Sequence, residues 1–244
     1  MNTFSESVQR AFALIGGADP LLLSIVGRSL AVSGTACVAA CGAGIVLGAW
    51  LGVARFRWRG ALITVLNTSL AIPSVVVGLV VYLLLSRSGP LGFLGWLFSF
   101  QAMVVAQVLL VLPVCTALTR QVVEDAERAN GEQLQSLGAN GMLRSLLLAF
   151  DERYALLTVL LACFGRAISE VGAVMIVGGN IDGFTRVMTT AIALETSKGD
   201  LPLALALGIV LLGVVLALNA LIAGVARWRG ARTEGLGSWQ GAAA

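Results

Sequence analysis

The stretch AVSGTACVAACGAGIVLGAWLGV, residues 31–53, contains no charged side chain over the length of a membrane-spanning helix. Such a helix needs roughly 20 predominantly apolar residues to cross the hydrocarbon core of a bilayer. Four further segments meet this criterion, and they cover residues 62–85, 102–119, 154–179 and 201–226. The sequence therefore predicts an all-α fold, a polytopic transmembrane helical bundle with five spans and membrane lipid around it.

The composition supports the same fold class and excludes several functions. Only 12% of the 244 residues are charged, whereas 58% are hydrophobic, and the mean hydropathy is +0.92. Soluble domains usually carry about 25% charged residues, so an ordinary cytosolic enzyme, a disordered chain and a disulfide scaffold are excluded. The sequence also lacks histidine, the commonest general base and metal ligand. Ser-His-Asp hydrolases and HExxH zinc enzymes are excluded on that ground.

The basic residues predict the orientation of the spans. Ten arginines lie in residues 55–59, 120–153 and 227–232, whereas the opposite ends of the spans carry four basic residues. Cytoplasmic loops carry the excess of Lys and Arg, so we expect the N-terminus outside and the C-terminus in the cytoplasm. Residues 1–244 are then expected to form a single transmembrane domain in an inner (plasma) membrane. Residues 1–19 are expected as an amphipathic segment at the outer face, and residues 227–244 as a cytoplasmic tail.

Residues 120–153 form the largest polar segment and carry 10 of the 29 charged residues. They also place apolar residues at helical spacing on both sides of Gly138, a residue type that commonly ends helices. A pair of short amphipathic helices is therefore predicted. Because such helices have an apolar side to bury, a partner protein is one place to bury it, whereas a solvated connection between spans is the alternative.

The run EQLQSLGA, residues 132–139, resembles the EAA loop of ABC importer permeases. The resemblance implies the type I importer permease fold, with a coupling helix that contacts a separate ATPase subunit. By position, it assigns the ATPase contact to Glu132, Leu137, Gly138 and Ala139. The chain departs from the family pattern in having Gln133 and Leu134 after the glutamate and Phe150-Asp151 at the end.

A second run, CFGRAISEVGAVMIVGG at residues 163–179, resembles the ARxISEFGAV signature of molybdate, sulfate and tungstate permeases. Residues 66–92 and 181–200 resemble the tungstate branch. The resemblance implies a homodimeric tungstate permease that works with cytoplasmic ATPases and an extracytoplasmic oxyanion-binding protein. Molybdate or sulfate as the cargo is an alternative, and an ATPase-independent transporter or channel is a second.

The resemblance and the missing motifs agree on cofactors. The sequence has no GxxxxGK[ST] phosphate loop, so we expect ATP-Mg on the partner ATPase and no cofactor on this chain. The chain is therefore predicted to be a transport subunit and not an enzyme. No nucleic-acid partner is expected. No metal site is expected either, because the four cysteines lack metal-ligand spacing and are interpreted as packing residues.

Two ionisable residues lie inside the fourth span. Counted from Tyr154 at about 1.5 Å per residue, Arg166 and Glu170 lie roughly 18 and 24 Å deep. Charged groups at such depth normally face the protein interior or a water-filled cavity, and residues four apart on a helix can pair. The pair, with Ser169 between its members, is either an ion pair that fixes helix or dimer packing, or a gate of the anion path.

Neutral polar residues provide further candidates for that path. Pro73 and Pro113 are predicted to kink their helices, and broken helices in transporters can border the substrate route. Residues 184–196 are helical in pattern but too short to span, and we expect their polar residues, including Arg186, Glu195 and Lys198, to face outwards or towards the pore mouth. The candidate path residues are Asn67, Thr68, Ser74, Thr189 and Thr190.

Overall fold

The computed structural model describes residues 3–17 and 19–240, and it describes side chains up to residue 224. The side chains of the predicted cytoplasmic tail, residues 227–244, therefore all lie outside the described ones. The described residues form ten α-helices: α1 (Thr3–Gly16), α2 (Pro20–Val53), α3 (Arg59–Leu70), α4 (Ser74–Leu85), α5 (Phe100–Ser136), α6 (Gly141–Asp151), α7 (Arg153–Ile168), α8 (Gly172–Gly178), α9 (Met188–Lys198) and α10 (Leu201–Gln240).

Three of these helices, α2, α5 and α10, are long and apolar enough to cross a membrane as single rods. Two further spans arise if each bent helix pair counts as one, namely α3 with α4 and α7 with α8, which bend by 98° and 57°. The all-α membrane bundle predicted from the sequence is confirmed. The five predicted segments correspond to the three single helices and the two bent pairs.

The first spanning helix extends beyond the charge-free stretch of residues 31–53. α2 starts at Pro20, and Asp19 caps its first turn by accepting hydrogen bonds from the backbone N–H groups of Leu21 and Leu22 at 2.9 and 3.1 Å. Asp followed by Pro is a pattern that marks helix starts in sequences. Proline at the first helical position lacks an N–H that would otherwise remain unsatisfied. This local capping extends the helix beyond its apolar segment.

The two membrane prolines behave differently. At Pro73 the helix stops after Leu70 and restarts at Ser74, as predicted. At Pro113, by contrast, α5 continues as one helix from Phe100 to Ser136 with the proline inside it, so a kink there stays a prediction.

Close packing against α2 supports α5 just after Pro113. A Cβ atom added to Gly44 of α2 would lie 2.8 Å from the Cβ of Cys115 on α5. A Cβ atom at Gly48 would lie 2.6 Å from the backbone oxygen of Thr116. Only glycine permits this approach of the two helices, as expected where small residues line a membrane helix interface.

The prediction of one continuous helix over residues 154–179 is wrong. The helix is interrupted between Ile168, the end of α7, and Gly172, the start of α8. No proline marks this point. The side chain of Glu170 accepts from the N–H of Ala173, three residues further along, and its backbone carbonyl accepts from the hydroxyl of Thr189 on α9. The break places the most polar residues of the span at a junction instead of on a regular helix.

Candidate functional site

The intramembrane junction, defined here by Arg166, Ser169, Glu170 and Thr189 with the first turn of α4, is built around one carboxylate. Glu170 is 4% exposed, and its Oε2 atom accepts a hydrogen bond from Arg166 Nη1 at 2.9 Å. The side chain of Arg166 remains 44% exposed. The predicted pairing is confirmed, and the arginine leaves part of its guanidinium open to the surface of the single chain.

The carboxylate of Glu170 also organises the next helix. Its Oε1 atom accepts a hydrogen bond from the backbone N–H of Ala173 at 3.2 Å, within the first turn of α8. Negative charge at this position complements the positive end of the helix dipole. The backbone carbonyl of Glu170 accepts a hydrogen bond from the hydroxyl of Thr189 on α9 at 2.7 Å. One residue therefore connects α7, α8 and α9.

The two broken spans meet at the junction. A Cβ atom at Gly172, the first residue of α8, would lie 2.8 Å from Val75 Cγ2 and 2.9 Å from Ser74 Oγ at the start of α4. Further along, a Cβ atom at Gly78 would lie 2.7 Å from the Cα of Ala173. The second halves of both bent pairs thus pack in close contact, so the Pro73 break and the Glu170 break lie side by side.

The remaining predicted path residues are distributed unevenly. Ser169 is exposed and donates a hydrogen bond to the Arg166 carbonyl at 3.1 Å. Asn67 and Thr68 are exposed on α3, and the Thr68 hydroxyl donates to the Thr64 carbonyl of its own helix. Thr190 is 1% exposed and bonds to the backbone of Val187 at the start of α9. The structure therefore brings Ser74, Ser169 and Thr189 to the junction, whereas Thr190 caps a helix.

The expected exposure of the short segment before the last span is wrong for most of its polar residues. Arg186 and Glu195 are buried, as are Thr189 and Thr190, whereas Lys198 is exposed. Arg186 lies 3.1 Å from an Asp182 oxygen and 3.8 Å from a Glu195 oxygen, and Lys198 lies 3.0 Å from the same Glu195 oxygen. These ion pairs hold the segment inwards, where the sequence pattern alone suggested a solvated helix.

Gln107 is a polar residue that the sequence reasoning missed. It lies buried on α5, and its Nε2 atom donates to the Ala167 carbonyl at 3.0 Å and contacts Ser33 Oγ at 3.5 Å. It joins α2, α5 and α7 one residue away from Arg166. The sequence offered one indication, because Gln107 is an amide inside the otherwise apolar third span.

Arg28 of α2 is a second polar residue that the sequence reasoning missed. Its Nη1 and Nη2 atoms donate to the carbonyls of Arg186 and Gly183 at 3.2 and 2.7 Å. It therefore ties the first span to the loop before α9.

The second candidate region is the end of α5 from residue 120, the turn at Gly138, and α6. We call it the cytoplasmic helix pair after the orientation predicted from the basic residues. Gly138 has a φ of +82°, and Asn140 caps α6 by accepting from the Leu143 N–H at 2.9 Å. Glycine adopts this left-handed conformation readily. The predicted pair of helices with a turn at Gly138 is confirmed, although the first helix of the pair is the direct continuation of a spanning helix.

This helix pair exposes apolar side chains to solvent. Leu137 is 76% exposed and Phe150 is 68% exposed. Glu132 and Gly138 are exposed beside them, whereas Ala139 is half-buried. The opposite side of α6 packs inwards through Ser145 and Leu148. Further exposed apolar side chains on α6 are Met142, Leu143, Leu146 and Leu147.

Ion pairs fix the cytoplasmic helix pair to the spans. Glu124 on α5 contacts Arg120 and lies 3.0 Å from Arg128 and 3.3 Å from Arg59 at the start of α3. Between α5 and α6, Glu127 and Arg144 lie 3.2 Å apart with most of both side chains buried. The arrangement links the exposed surface of α6 mechanically to α5 and to the first half of a bent span.

Comparison with known proteins identifies the family, although no protein-family model matches the chain. The tungstate uptake system permease protein TupB of Peptoclostridium acidaminophilum is 43% identical over 87% of this chain and 93% of its own length. A probable anion ABC transporter permease protein of Haloferax volcanii is 42% identical over 80% and 86%. TupB of Campylobacter jejuni is 36% identical over 85% and 87%.

Sulfate and molybdenum transport permeases match at lower identity. The tungstate and anion permeases named above cover 80–87% of the chain, so the similarity includes both the intramembrane junction and the cytoplasmic helix pair. The chain therefore belongs to the oxyanion permease family of ABC transporters, and it is a membrane-spanning transport subunit and not an enzyme.

Proposed function

We propose that this permease carries tungstate, as a homodimer driven by two cytoplasmic ATPase subunits and supplied by an extracytoplasmic oxyanion-binding protein. Two relatives that match along most of the chain are tungstate uptake permeases, which favours this cargo. The orientation proposed from the basic residues places the N-terminus outside and the cytoplasmic helix pair on the ATPase side. ATP-Mg binds to the partner subunits, and this chain holds no cofactor.

The observation that carries the proposal is the half-exposed Arg166 beside the buried Glu170. A bare arginine would hold a dianion through strong, charge-assisted hydrogen bonds, and tight binding would slow its release. An arginine already paired with a carboxylate offers its remaining N–H donors at reduced net charge. Such a group can guide an oxyanion past the junction without trapping it.

The junction is placed where helix motion would change access. Two bent spans meet there through Gly172, Ser74 and Val75, so rotation of either pair changes the space around Arg166. Small interhelical shifts are typical of switching membrane proteins and other two-state assemblies. Ser169 and Ser74 are neutral donors at the junction, and they are proposed as lining groups of the path together with Asn67 and Thr68.

The ATPase contact is proposed at the cytoplasmic helix pair. Leu137 and Phe150 expose large apolar surfaces that a partner protein would cover. Glu132, Gly138 and Ala139 belong to the same surface by position in the sequence. Because α5 runs without interruption from the membrane to Ser136, displacement of this surface by ATP-driven closure would be transmitted into the bundle.

The homodimer is proposed because a path for an anion needs more enclosing helices than one chain supplies. Two copies related by a two-fold axis are the commonest oligomeric solution. The exposed side of Arg166 would then face the partner copy or the space between the two chains. An ATPase-independent transporter remains the alternative of a different class, and it would leave the exposed apolar surface of α6 unexplained.

Molybdate or sulfate is the second candidate cargo, because permeases for sulfate and molybdenum are among the relatives. The decisive test is uptake by proteoliposomes that contain the permease, its ATPase and its loaded binding protein. We expect ATP-dependent uptake of labelled tungstate that unlabelled tungstate inhibits most, molybdate less and sulfate least. Equal or stronger competition by sulfate would contradict tungstate as the cargo, and uptake without the ATPase would contradict the transporter class.

A further inference from the structure

The four cysteines of the chain converge at one place inside the bundle, although they are far apart in sequence. Cys37 and Cys41 lie on α2, Cys115 on α5 and Cys163 on α7, and all four are free and buried. The Sγ atoms of Cys41, Cys115 and Cys163 all lie within 4.8 Å of one another. The Sγ atom of Cys37 lies 3.6 Å from that of Cys41. The sequence predicted packing thiols and no metal site, because the spacing along the chain cannot reveal ligands from three helices.

The packing around the thiols explains why they meet. Gly44 on α2 faces Cys115, and an added Cβ atom would lie 2.8 Å from Cys115 Cβ and 2.9 Å from its Sγ. The absence of a side chain at Gly44 therefore lets α5 bring its thiol next to α2. The surrounding buried residues are apolar and include Ala40, Val111, Val159 and Ala167.

We propose that Cys41, Cys115 and Cys163 form a binding site for a soft, thiophilic d10 cation such as Zn²⁺ or Cd²⁺. Sulfur ligands select ions of this class over hard cations such as Mg²⁺. With Zn–S bonds of about 2.3 Å, three sulfur atoms around one ion lie about 3.8–4.0 Å apart. The three thiols therefore need to approach by about 1 Å at most to coordinate a common ion, which rotamer adjustment can supply.

The net charge of the site determines how many of the thiols would lose their protons when the ion binds. An uncompensated charge in an apolar interior is costly, so the site must stay close to neutral. A divalent cation that displaces two protons from two of the thiols, with the third thiol as a neutral donor, leaves the net charge at zero. Binding would therefore release two protons to the solvent for each ion, as metal binding to thiols generally does.

A bound ion would connect three helices that otherwise meet only through packing and hydrogen bonds. Cys163 lies on α7 three residues before Arg166, and the Ala167 carbonyl on the same helix accepts from Gln107 of α5. The ion would fix α7 relative to α2 and α5 close to the intramembrane junction. The proposal concerns a binding site, and its test does not depend on transport or on the identity of the cargo.

The test uses the full chain purified in detergent under reducing conditions and then freed of reductant. Cd²⁺ and Zn²⁺ are added separately, loose ions are removed with a weak chelator, and bound metal is counted per chain. We expect one Cd²⁺ per chain, with cadmium–thiolate absorption in the ultraviolet and two protons released. Zn²⁺ should compete for the same site.

The matched variants change one thiol at a time to alanine. Cys115→Ala and Cys163→Ala should weaken Cd²⁺ binding by more than the roughly 10- to 100-fold that loss of an outer-shell partner costs. Cys37→Ala, which removes the thiol outside the triad, should retain the ion. Each variant is first checked for a single symmetric gel-filtration peak.

Three results would overturn the proposal. The first is a wild-type chain that retains no cadmium after the chelator wash. The second is equal cadmium retention in a further variant in which Cys41, Cys115 and Cys163 are all changed to alanine. The third is a chain whose Cys115 and Cys163 are already joined as a disulfide, seen by intact mass as the loss of two hydrogens. The wild-type measurements of absorption and proton release keep the proposal testable even where a variant does not fold.

Discussion

The intramembrane junction and the cytoplasmic helix pair place their polar and apolar groups in opposite ways. In the junction, Glu170 is 4% exposed, and both of its carboxylate oxygens accept hydrogen bonds from this chain. In the cytoplasmic helix pair, Leu137 is 76% exposed and Phe150 is 68% exposed. A charge is thus buried where lipid surrounds the protein, and apolar side chains are exposed where water surrounds it.

The difference indicates which region is complete within one chain. An ionised carboxylate without partners is too costly inside a membrane, so the chain must supply the partners of Glu170 itself. Apolar side chains that are exposed to water carry a smaller free-energy cost, and they can remain exposed until another protein binds. The junction therefore finds its polar partners within the chain, whereas the cytoplasmic helix pair is the surface at which we propose that a partner binds.

The largest effect is expected from Glu170→Ala. It leaves Arg166 without its carboxylate and removes the acceptor at the first turn of α8. Breaking a buried ion pair costs about 3–5 kcal/mol, and the half-exposed arginine places the expected loss near the lower end of that range. Thermal unfolding in detergent measures it, with the exposed Glu132→Ala as the control. Equal unfolding temperatures for the two variants would show that the junction does not stabilise the bundle.

A smaller effect on stability, but a large one on assembly, is expected from Leu137→Asp. The side chain is exposed, so folding should be nearly unaffected, whereas a charge in an apolar interface centre costs about 2 kcal/mol or more of binding. The affinity for the ATPase should fall roughly 30-fold, which copurification of the two subunits would show as a loss of bound ATPase. Gln135→Asp, at an exposed polar position of the same helix end, is the control. Undiminished ATPase binding by the Leu137 variant would place the contact elsewhere.

The smallest effect is expected from Thr189→Val, which keeps the volume of the side chain and removes one hydrogen bond to the Glu170 carbonyl. A neutral hydrogen bond contributes about 1 kcal/mol, and the buried carbonyl loses its partner from α9. Hydrogen exchange of the amides in α9 should increase, while α6 stays unchanged. Faster exchange in α6 as well would indicate that the two regions are not independent in stability.

The sequence predicted what depends on local composition and missed what depends on contacts between helices. Hydropathy located the spans, and Pro73 marked its own helix break because proline cannot continue the backbone hydrogen bonds. Gly138 likewise marked the turn of the cytoplasmic helix pair. The interruption at Glu170 carried no comparable mark, and the Glu170 carbonyl accepts there from Thr189, which lies 19 residues away in the sequence.

The candidate site shows the same division. The i,i+4 spacing predicted the pairing of Arg166 with Glu170, because a continuous helix would place both on one face. The pair forms although α7 ends at Ile168. The role of Gln107 and the convergence of the cysteines could not be predicted, since they require knowing how α2, α5 and α7 are arranged. The buried positions of Arg186 and Glu195 were missed for the same reason, because their partners lie in neighbouring turns and helices.

One measurement separates the two regions most directly. In the proteoliposome complex, the double variant Arg166→Leu with Glu170→Gln removes both charges of the junction together, so no lone charge remains buried. Tungstate imported per ATP hydrolysed is then compared with wild type. We expect normal ATPase assembly and continued ATP hydrolysis with uptake reduced at least tenfold. Uptake at the wild-type ratio would contradict the role of the junction as the anion gate and leave it as a packing element alone.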